Sequence, residues 1–369
     1  MTMRIRPFSA MAYILNNRAR SLVLILMMSF ITVCFVGGMY VDNPGEIFRV
    51  SREESSRYMT IQTRGASNDA IDEYRNMQKE LPSLLPPEAN TIIYANIYYT
   101  DFSSMMSFNC NVEGIMFTSV EDFELFRERT HLIPEDITLK DDEFVMSEQL
   151  ANNRGLKIGD PMREGSPVTL GAVMPGRGMR IFLLREGWGT DNMVVVSNDG
   201  VCDAKLQEDL DRVARELAQK YPHCMFTTNT TYVEEVEEEI GYMYYIFGAI
   251  VVVVAIVLLV TINAAFTAAY DKRKHEFAIY KALGFTKWQI FCKIAGEVLI
   301  MNAVALVFGA LVNAGVILVL NQALWPKGQH FYRVSPMAVY GTVVCEVVII
   351  LMIIFFNWRK VRKCEVTEG

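Results

Sequence analysis

The sequence has few of the residues that build catalytic or metal sites. Only four of its 369 residues are histidines (positions 131, 223, 275 and 330), and none lies in an H-E-x-x-H or zinc-type spacing. The G-x-x-x-x-G-K-[ST] motif, which binds nucleotide phosphates through backbone amides and a lysine, is missing too. We therefore expect no metal, cofactor or catalytic residue in this chain, and an ATP-driven activity would need a separate ATPase.

Cysteines are also few, seven in all, and they form no evident disulfide framework. Cys34 and Cys345 fall in long apolar runs, and Cys292 and Cys364 lie just outside such runs. Three cysteines remain elsewhere, at positions 110, 202 and 224. A single bridge from Cys202 to Cys224 and free thiols both fit this pattern.

Long apolar runs are what the sequence has in excess, since 51% of its residues are hydrophobic. Four runs reach the roughly 20 residues that cross a bilayer: Leu22–Tyr40, Ile246–Phe266, Val298–Leu320 and Met337–Phe356. A cleaved signal peptide is the alternative for the first run, but its apolar part is long for one and no A-x-A-like site follows. We predict a membrane protein with four transmembrane helices, the first a retained signal anchor.

Basic residues near the ends of these runs predict the orientation, because cytoplasmic flanks carry the excess of Lys and Arg. They precede the first run, follow the second and follow the last: Arg4, Arg6, Arg18, Arg20, Lys272, Arg273, Lys274, Lys281, Lys287, Lys293, Arg359, Lys360, Arg362 and Lys363. Both termini are therefore predicted to be cytoplasmic. The segment Asp42–Ile240 then lies outside, with 36 acidic and 19 basic residues. This acidity argues against nucleic acid and fits either a solvated surface or cationic ligands.

The predicted organisation alternates membrane and soluble segments. It comprises an N-terminal amphipathic cytoplasmic helix (1–21), transmembrane helix 1 (22–41), an extracellular α+β domain (42–240), transmembrane helix 2 (241–270), a cytoplasmic coupling elbow (271–293), transmembrane helix 3 (294–320), a short extracellular loop (321–336), transmembrane helix 4 (337–357) and a cytoplasmic tail (358–369).

The extracellular segment carries two strand–helix–strand patterns, as judged from periods of 2 and 3.6 residues. The first pattern covers Tyr58–Thr63, Ala70–Leu81 and Thr91–Tyr99, and the second Met193–Ser197, Asp203–Lys220 and His223–Thr228. Residues 118–191, with Gly-rich short strands, are expected to form an inserted β-rich lobe. The fold class predicted is an α-helical membrane protein with a large α+β extracellular domain between helices 1 and 2.

The elbow, residues 271–293, has the pattern of a stiff bend. Good helix formers from Lys272 onward lead to Gly284, a usual C-terminal stop. Thr286 and Gln289 then form a capping box, and Phe285 with Ile290 a hydrophobic staple, so a second helix begins at once. Such a bend would present residues 281–288 to a partner. A plain capped loop between two helices is the alternative.

Glu346 is an ionisable residue deep in the fourth run. A carboxyl group there is costly, and it is a functional candidate for that reason. The interpretation we favour is that it holds helices together by hydrogen bonds, with Asn302 or Asn313 as partner.

The elbow also carries a recognisable motif, in Lys272, Lys274, His275, Glu276, Lys281, Ala282, Leu283, Gly284, Phe285, Thr286 and Glu297. This motif is similar to that of the FtsX/MacB-like permeases of ABC transporters, although His275 departs from the family's basic–Glu dipeptide. Residues 12–22, with Arg18 and Arg20, resemble the family's first helix, and residues 151–160 resemble a motif of its extracellular domain.

The resemblance implies a permease subunit of the bacterial cytoplasmic membrane that works as a homo- or heterodimer. A separate cytoplasmic ABC ATPase would bind ATP and Mg and contact the elbow, at Glu276, Lys281, Ala282, Leu283, Gly284, Phe285, Thr286, Trp288 and Gln289. Arg18 and Arg20 would either contact the same ATPase or anchor the chain at the membrane edge.

For the activity, the resemblance implies export of a peptide, lipid or other amphipathic substrate. Activation of an extracellular cell-wall hydrolase and ligand sensing by a receptor are the alternatives. A membrane fusion protein, a lipoprotein or such a hydrolase would be a further partner, beside the lipid bilayer.

Overall fold

The computed structural model describes residues 10–30, 32–33, 56–65, 67–103, 109–190, 192–200, 202–330 and 336–363. Predicted features at residues 1–9, 34–41 and 331–335 lie outside this description. The chain divides into two compact units. One is a helical unit, Met1–Asn43, Met243–Val319 and Arg333–Gly369, and the other an α+β unit, Pro44–Tyr242 and Leu320–Tyr332.

The described elements alternate in the order expected. The helices are α1 Ala10–Asn16, α2 at residues 18–30 and 32–33, α3 Asn68–Leu84, α4 Val120–Thr130, α5 Glu148–Arg154, α6 Ala204–Lys220, α7 Asn229–Asp271, α8 Lys274–Ala282, α9 Lys287–Leu324 and α10 Pro336–Lys363. The strands are β1 Tyr58–Thr63, β2 Thr91–Ser103, β3 Asn109–Phe117, β4 Glu143–Ser147, β5 Thr169–Met174, β6 Ile181–Leu184, β7 Asn192–Val196 and β8 Cys224–Thr227.

One mixed sheet organises the α+β unit, with the strand order β5-β4-β6-β3-β2-β7-β1-β8. Its elements β1–α3–β2 and β7–α6–β8 confirm the two strand–helix–strand patterns. The two halves interleave, because β7 pairs antiparallel with both β2 and β1. One face of β1 and β7 is buried with α3 and α6, whose apolar stripes supply much of the core. Each leucine buried there contributes about 1.5–3 kcal/mol.

The inserted segment differs from the expectation of a separate lobe. Its strands β4, β5 and β6 continue the common sheet, since β6 pairs in parallel with β3 over Gly114 to Phe117. Phe102 and Val112, from outside the insert, share a core with Phe144 and Leu150 from within it. The insert is therefore an extension of one sheet.

Among the residues described, three helical runs are long and apolar enough to cross a membrane: Val252–Ala269, Lys287–Lys327 and Val339–Phe356. They correspond to the second, third and fourth predicted spans. The first predicted span is described only over residues 22–30 and 32–33, where it is helical. α7 continues without a break from its acidic start into the apolar run. At 43 residues, it is about 65 Å long.

The structure decides between the two cysteine alternatives. Cys202 and Cys224 are both free thiols, and both contact the core beneath α3 and α6. Cys34 and Cys364 lie outside the described residues.

Candidate functional site

The elbow consists of two short turns around one helix. After α7 ends at Asp271, residues 272–273 form a turn that the helix prediction from Lys272 missed, and α8 follows. Gly284 has a φ of +89°, the left-handed conformation that ends α8. The capping box is present: the Thr286 amide donates to Gln289 Oε1 at 2.9 Å, and the Gln289 amide donates to Thr286 Oγ1 at 3.2 Å. α9 therefore begins directly after the stop.

A small apolar core holds the two arms of the elbow together. Phe277, Ile290 and Ile294 are buried, and Tyr280 and Phe285 contact them. The Phe285 ring lies edge-on to the Tyr280 ring, with centroids 5.9 Å apart. Phe285 and Ile290 thus occupy the same cluster, as the predicted staple requires. Phe285 belongs to the inside of the bend.

Leu283 lies on the outside of the same bend. Its side chain is 70% exposed. Ala282, Gly284, Thr286 and Gln289 are also exposed, and Ile279 is 48% exposed on the preceding helical turn. The elbow therefore offers an apolar apex on a base fixed by its own core. Lys281 is half-buried beside this apex.

Arg273 occupies the other side of the elbow, where it is only 8% exposed. Its guanidinium donates to Glu297 of α9, from Nη1 to Oε2 at 2.7 Å and from Nη2 to Oε1 at 3.3 Å. It also donates to Glu276 of α8, from Nε to Oε2 at 2.9 Å. One planar group thus joins two helices through fork-shaped contacts, for which arginine is suited and lysine is not.

Tyr280 and Lys293 extend this network. The Tyr280 hydroxyl donates to Glu276 Oε1 at 2.9 Å, and Lys293 Nζ donates to the Tyr280 oxygen at 3.0 Å. We call Arg273, Glu276, Tyr280, Lys293 and Glu297 the ion cluster. Its two cations balance its two carboxylates, so the buried charges compensate one another.

The electrostatics of the ion cluster keep its charges in place. Burial alone would lower the pKa of Arg273, but the hydrogen bonds and charges of Glu276 and Glu297 raise it above its ordinary value. Burial raises the pKa of Glu276, yet the contact with Arg273 outweighs it and holds the pKa below its usual value. Burial, with the hydrogen bond to Glu276, raises the pKa of Tyr280 to about 12. The contact between Arg273 and Glu276 therefore favours the charged form of both side chains.

The first helix reaches the ion cluster through one aromatic side chain. Arg273 lies over the Tyr13 ring of α1, with 3.6 Å from Cζ to the ring centroid, and over the Phe277 ring at 4.8 Å. Such stacking stabilises a guanidinium whose edges are used for hydrogen bonds. Arg18 and Arg20 are not part of this contact. Arg18 is exposed and donates to the Leu15 carbonyl, and Arg20 is half-buried.

Trp288 has a different role from the apex residues. Although it is 61% exposed, its ring lies against Phe291 on α9 and Trp358 on α10, with centroid distances of 5.2 and 6.0 Å. Phe291 and Trp358 are also in contact, at 4.8 Å. The three rings link the start of α9 to the end of α10.

The polar residues predicted within the spans meet at Thr32 of α2. Thr32 Oγ1 donates to Glu346 Oε1 at 2.6 Å, and Asn302 Nδ2 donates to Glu346 Oε2 at 3.5 Å. Asn313 Nδ2 instead donates to the Thr32 carbonyl at 3.1 Å. Gly309 allows this approach, because a Cβ there would lie 2.6 Å from Thr32 Cβ. The group therefore joins α2, α9 and α10.

Sequence reasoning missed Arg273, Tyr13, Lys293 and Trp358 as site residues. A local signal existed for Arg273, since it lies three residues before Glu276, the spacing of a helical ion pair. Its second carboxylate, 24 residues away, gave no such signal. Within the described part of the chain, no group of His, Cys, Asp or Glu side chains has the geometry of a metal site.

Comparison with known families finds a match for the C-terminal part of the chain. Residues 245–366 match the family described as FtsX-like permease C-terminal. The matched range includes the elbow, all five residues of the ion cluster and Glu346. Tyr13, which contacts Arg273, lies outside it. The resemblance noted in the elbow sequence is thereby confirmed.

Two solved structures are similar to parts of this chain. The periplasmic region of MacB from Actinobacillus actinomycetemcomitans is 10% identical, over 52% of this chain and 98% of that one, with a TM-score of 0.27. A domain of a putative permease protein from Porphyromonas gingivalis is 12% identical, over 47% and 89%, with a TM-score of 0.21. Both scores are too low to support an inference about this chain. No match was found among curated proteins.

Proposed function

Because residues 245–366 carry an FtsX-like permease C-terminal domain, we propose that this chain is the transmembrane subunit of an ABC transporter of the FtsX/MacB type. It converts ATP binding and hydrolysis by a separate cytoplasmic ATPase into movement of its α+β domain. ATP and Mg belong to that ATPase. The chain works as a dimer of permeases in a bacterial cytoplasmic membrane, with both termini in the cytoplasm.

The exposed apex at Leu283 is the observation that carries this proposal. Leu283 and Ile279, 70% and 48% exposed on a capped and internally packed bend, together offer a docking partner an apolar surface to cover. The basic residues around it support a cytoplasmic location, where an ATPase would dock. A loop of no function would need neither the rigid base nor the exposed apex.

The ion cluster transmits movement of the apex to the neighbouring helices. A push at Leu283 reaches α8 directly, and the Arg273 contacts carry it to Glu297 on α9 and to Tyr13 on α1. Because these contacts are buried and directional, α1, α8 and the start of α9 move together instead of sliding past one another. α7 carries the movement out of the membrane as one continuous helix.

Export of a peptide, lipid or other amphipathic molecule is the activity we propose for this movement. The described polar side chains Thr32, Asn302, Asn313 and Glu346 form hydrogen bonds within their own group. They hold helices together, so an aqueous path through the spans has no support among them. A mechanism in which the α+β domain acts on a substrate outside the hydrocarbon needs no such path.

Purification of the tagged chain from its own membranes, followed by mass spectrometry and ATPase assays, tests the proposal. We expect an ABC ATPase to co-purify, and Leu283→Asp to insert normally while losing ATP hydrolysis stimulated by the permease. Ile158→Asp is the matched control, since Ile158 is also strongly exposed, at 67%, in the α+β unit. Absence of any ABC ATPase from the wild-type preparation would refute the assignment.

A further inference from the structure

The turn that follows α9 belongs to the α+β unit and is held there by a dense set of contacts. α9 ends at Leu324, and residues Trp325–Lys327 continue as a 3₁₀ turn closed by Gly328. The Gly328 amide donates to the Trp325 carbonyl at 2.8 Å, and the Gln329 amide donates to the Leu324 carbonyl at 3.2 Å. The end of the helix is therefore wound tightly onto itself and leaves little slack.

Gly328 places this turn directly on the backbone of α5. Its φ is +63°, which a side chain rarely adopts. A Cβ at this position would also lie 2.1 Å from the Gln149 carbonyl oxygen and 2.4 Å from the Asn153 nitrogen. Contact this close is open only to glycine. The backbone of the turn therefore lies directly on the backbone of α5.

Side chains on both partners reinforce this seat. Asn153 Nδ2 donates to the Lys327 carbonyl at 3.2 Å and to the Ser103 carbonyl at 2.9 Å, and Gln329 Nε2 donates to the same Ser103 carbonyl at 3.2 Å. Trp325 Nε1 donates to Glu148 Oε1 at 3.4 Å. Arg177 Nη2 and His330 Nε2 are 2.6 Å apart. The contacts thus involve α5, the end of β2 and the turn after β5.

We propose that this contact, which we call the outer joint (residues 325–330 with Glu148–Asn153), is a second point of force transfer, at the end of α9. The joint fastens α9 to the extended half of the sheet, whereas α7 enters the same domain after β8 at the other edge. Movement of α9 against α7 then acts on both ends of one sheet. The proposal rests on the function proposed above, of which it names a positioning element.

The number and kind of contacts distinguish this joint from casual packing of a loop. The hydrogen bonds at residues 325–330 involve both backbone and side-chain groups, and two of them meet α5, a helix of seven residues. α5 is itself fixed, because Ser147 caps it through the Leu150 amide and Glu148 Oε2 accepts from the Gly176 amide. A fixed helix and a turn without slack can transmit displacement, whereas a flexible loop would absorb it.

Gly328→Ala tests the joint in the full chain in lipid nanodiscs, by hydrogen exchange of backbone amides. Docking should be lost, so the amides of residues 148–154 and 324–330 should exchange about tenfold faster or more. Gly165→Ala is the matched control, because Gly165 also has a positive φ, of +78°, but has nothing within 4 Å of its Cβ. Equal exchange in Gly328→Ala and wild type would overturn the joint without reference to any ATPase.

The second arm uses the complex as isolated with its own ATPase. With ATP and orthovanadate, wild type should change the exchange of β4–β6, and Gly328→Ala and Asn153→Ala should lose that change while retaining bound ATPase and its hydrolysis. A freed joint with an undiminished response of β4–β6 would overturn force transfer through it. Failure of the proposed function appears differently, as a wild-type preparation without ATPase, and leaves the first arm decisive for the joint.

Discussion

Arg273 and Glu297 form a two-bond ion pair across the elbow, 24 residues apart in the chain, with side chains that are 9% and 3% exposed. Removing one partner of such a pair leaves the other charge buried and uncompensated, which costs about 3–5 kcal/mol in soluble proteins. The pair therefore fixes the angle between α8 and α9 more firmly than the surface ion pairs nearby.

Arg273→Gln should lower the apparent melting temperature of the purified chain and abolish ATP hydrolysis stimulated by the permease. Arg273→Lys should restore charge without the fork or the stacking on Tyr13, and recover only part of both. Lys274→Gln is the adjacent control, since Lys274 pairs with Asp271 at 3.5 Å in an exposed site and such pairs contribute about 0–1 kcal/mol. If the variants at 273 and 274 had the same melting temperature and the same stimulated ATP hydrolysis, the buried pair would contribute no more than the exposed one.

Leu283→Asp and Phe285→Asp should separate docking from the shape of the elbow. Leu283 is exposed, so its substitution should leave hydrogen exchange of residues 274–294 unchanged while binding of the ATPase weakens. Phe285 contacts the elbow core, so a carboxylate there should speed that exchange as well. Two variants with the same exchange pattern would contradict this division between the outside and the inside of the bend.

Thr286→Ala should loosen the start of α9 without unfolding the chain. The substitution removes the acceptor for the Gln289 amide, a loss of about 1 kcal/mol for a typical cap. We expect faster amide exchange at residues 287–290 and a partial loss of stimulated ATP hydrolysis. Lys287→Ala, one residue further on, keeps the cap and serves as control. If Thr286→Ala retained full stimulation of ATP hydrolysis, the cap would not be needed for coupling to the ATPase.

Glu346→Gln should retain assembly and activity, because the amide can still accept from Thr32 and lie beside Asn302. Glu346→Leu should lower stability, since the Thr32 hydroxyl loses its partner in a buried site. Thermal unfolding and ATP hydrolysis of both variants distinguish these outcomes. A folded Gln variant whose activity no longer depends on pH, while that of wild type does, would instead indicate proton coupling at Glu346.

Labelling with an impermeant maleimide tests the orientation in intact cells at pH 7. Glu164→Cys, at an exposed position, should react, and Lys287→Cys should react only after permeabilisation. Of the native thiols, Cys202 and Cys224 should stay silent in a Cys110→Ser background, because burial raises the pKa of both to about 11. The fraction of reactive thiolate at these two cysteines is about 100-fold smaller than at an ordinary thiol. They therefore give little background labelling. Reaction of residue 287 from outside would reverse the predicted topology.

The elbow was predictable from the sequence because the residues that determine it are close together in the chain. Gly284, Thr286 and Gln289 lie within six positions, and the stop and the cap that they encode depend on no distant partner. The strand–helix–strand patterns were predictable for the same reason. Arg273 was not, since its role depends on Glu297 and on Tyr13, which lies near the other end of the chain. The insert was misjudged likewise, because parallel pairing of β3 with β6 joins strands far apart in sequence.

The hydrogen bond between Thr32 and Glu346 can form only after most of the chain has been synthesised. The two residues are 314 positions apart, and at about 5–20 residues per second the ribosome needs roughly 15–60 s to cover that distance. During this interval α2 is already made, but Glu346, which accepts from the Thr32 hydroxyl, is not. A chain that stops before α10 therefore lacks the carboxyl group that ties α2 to the rest of the helical unit through Thr32.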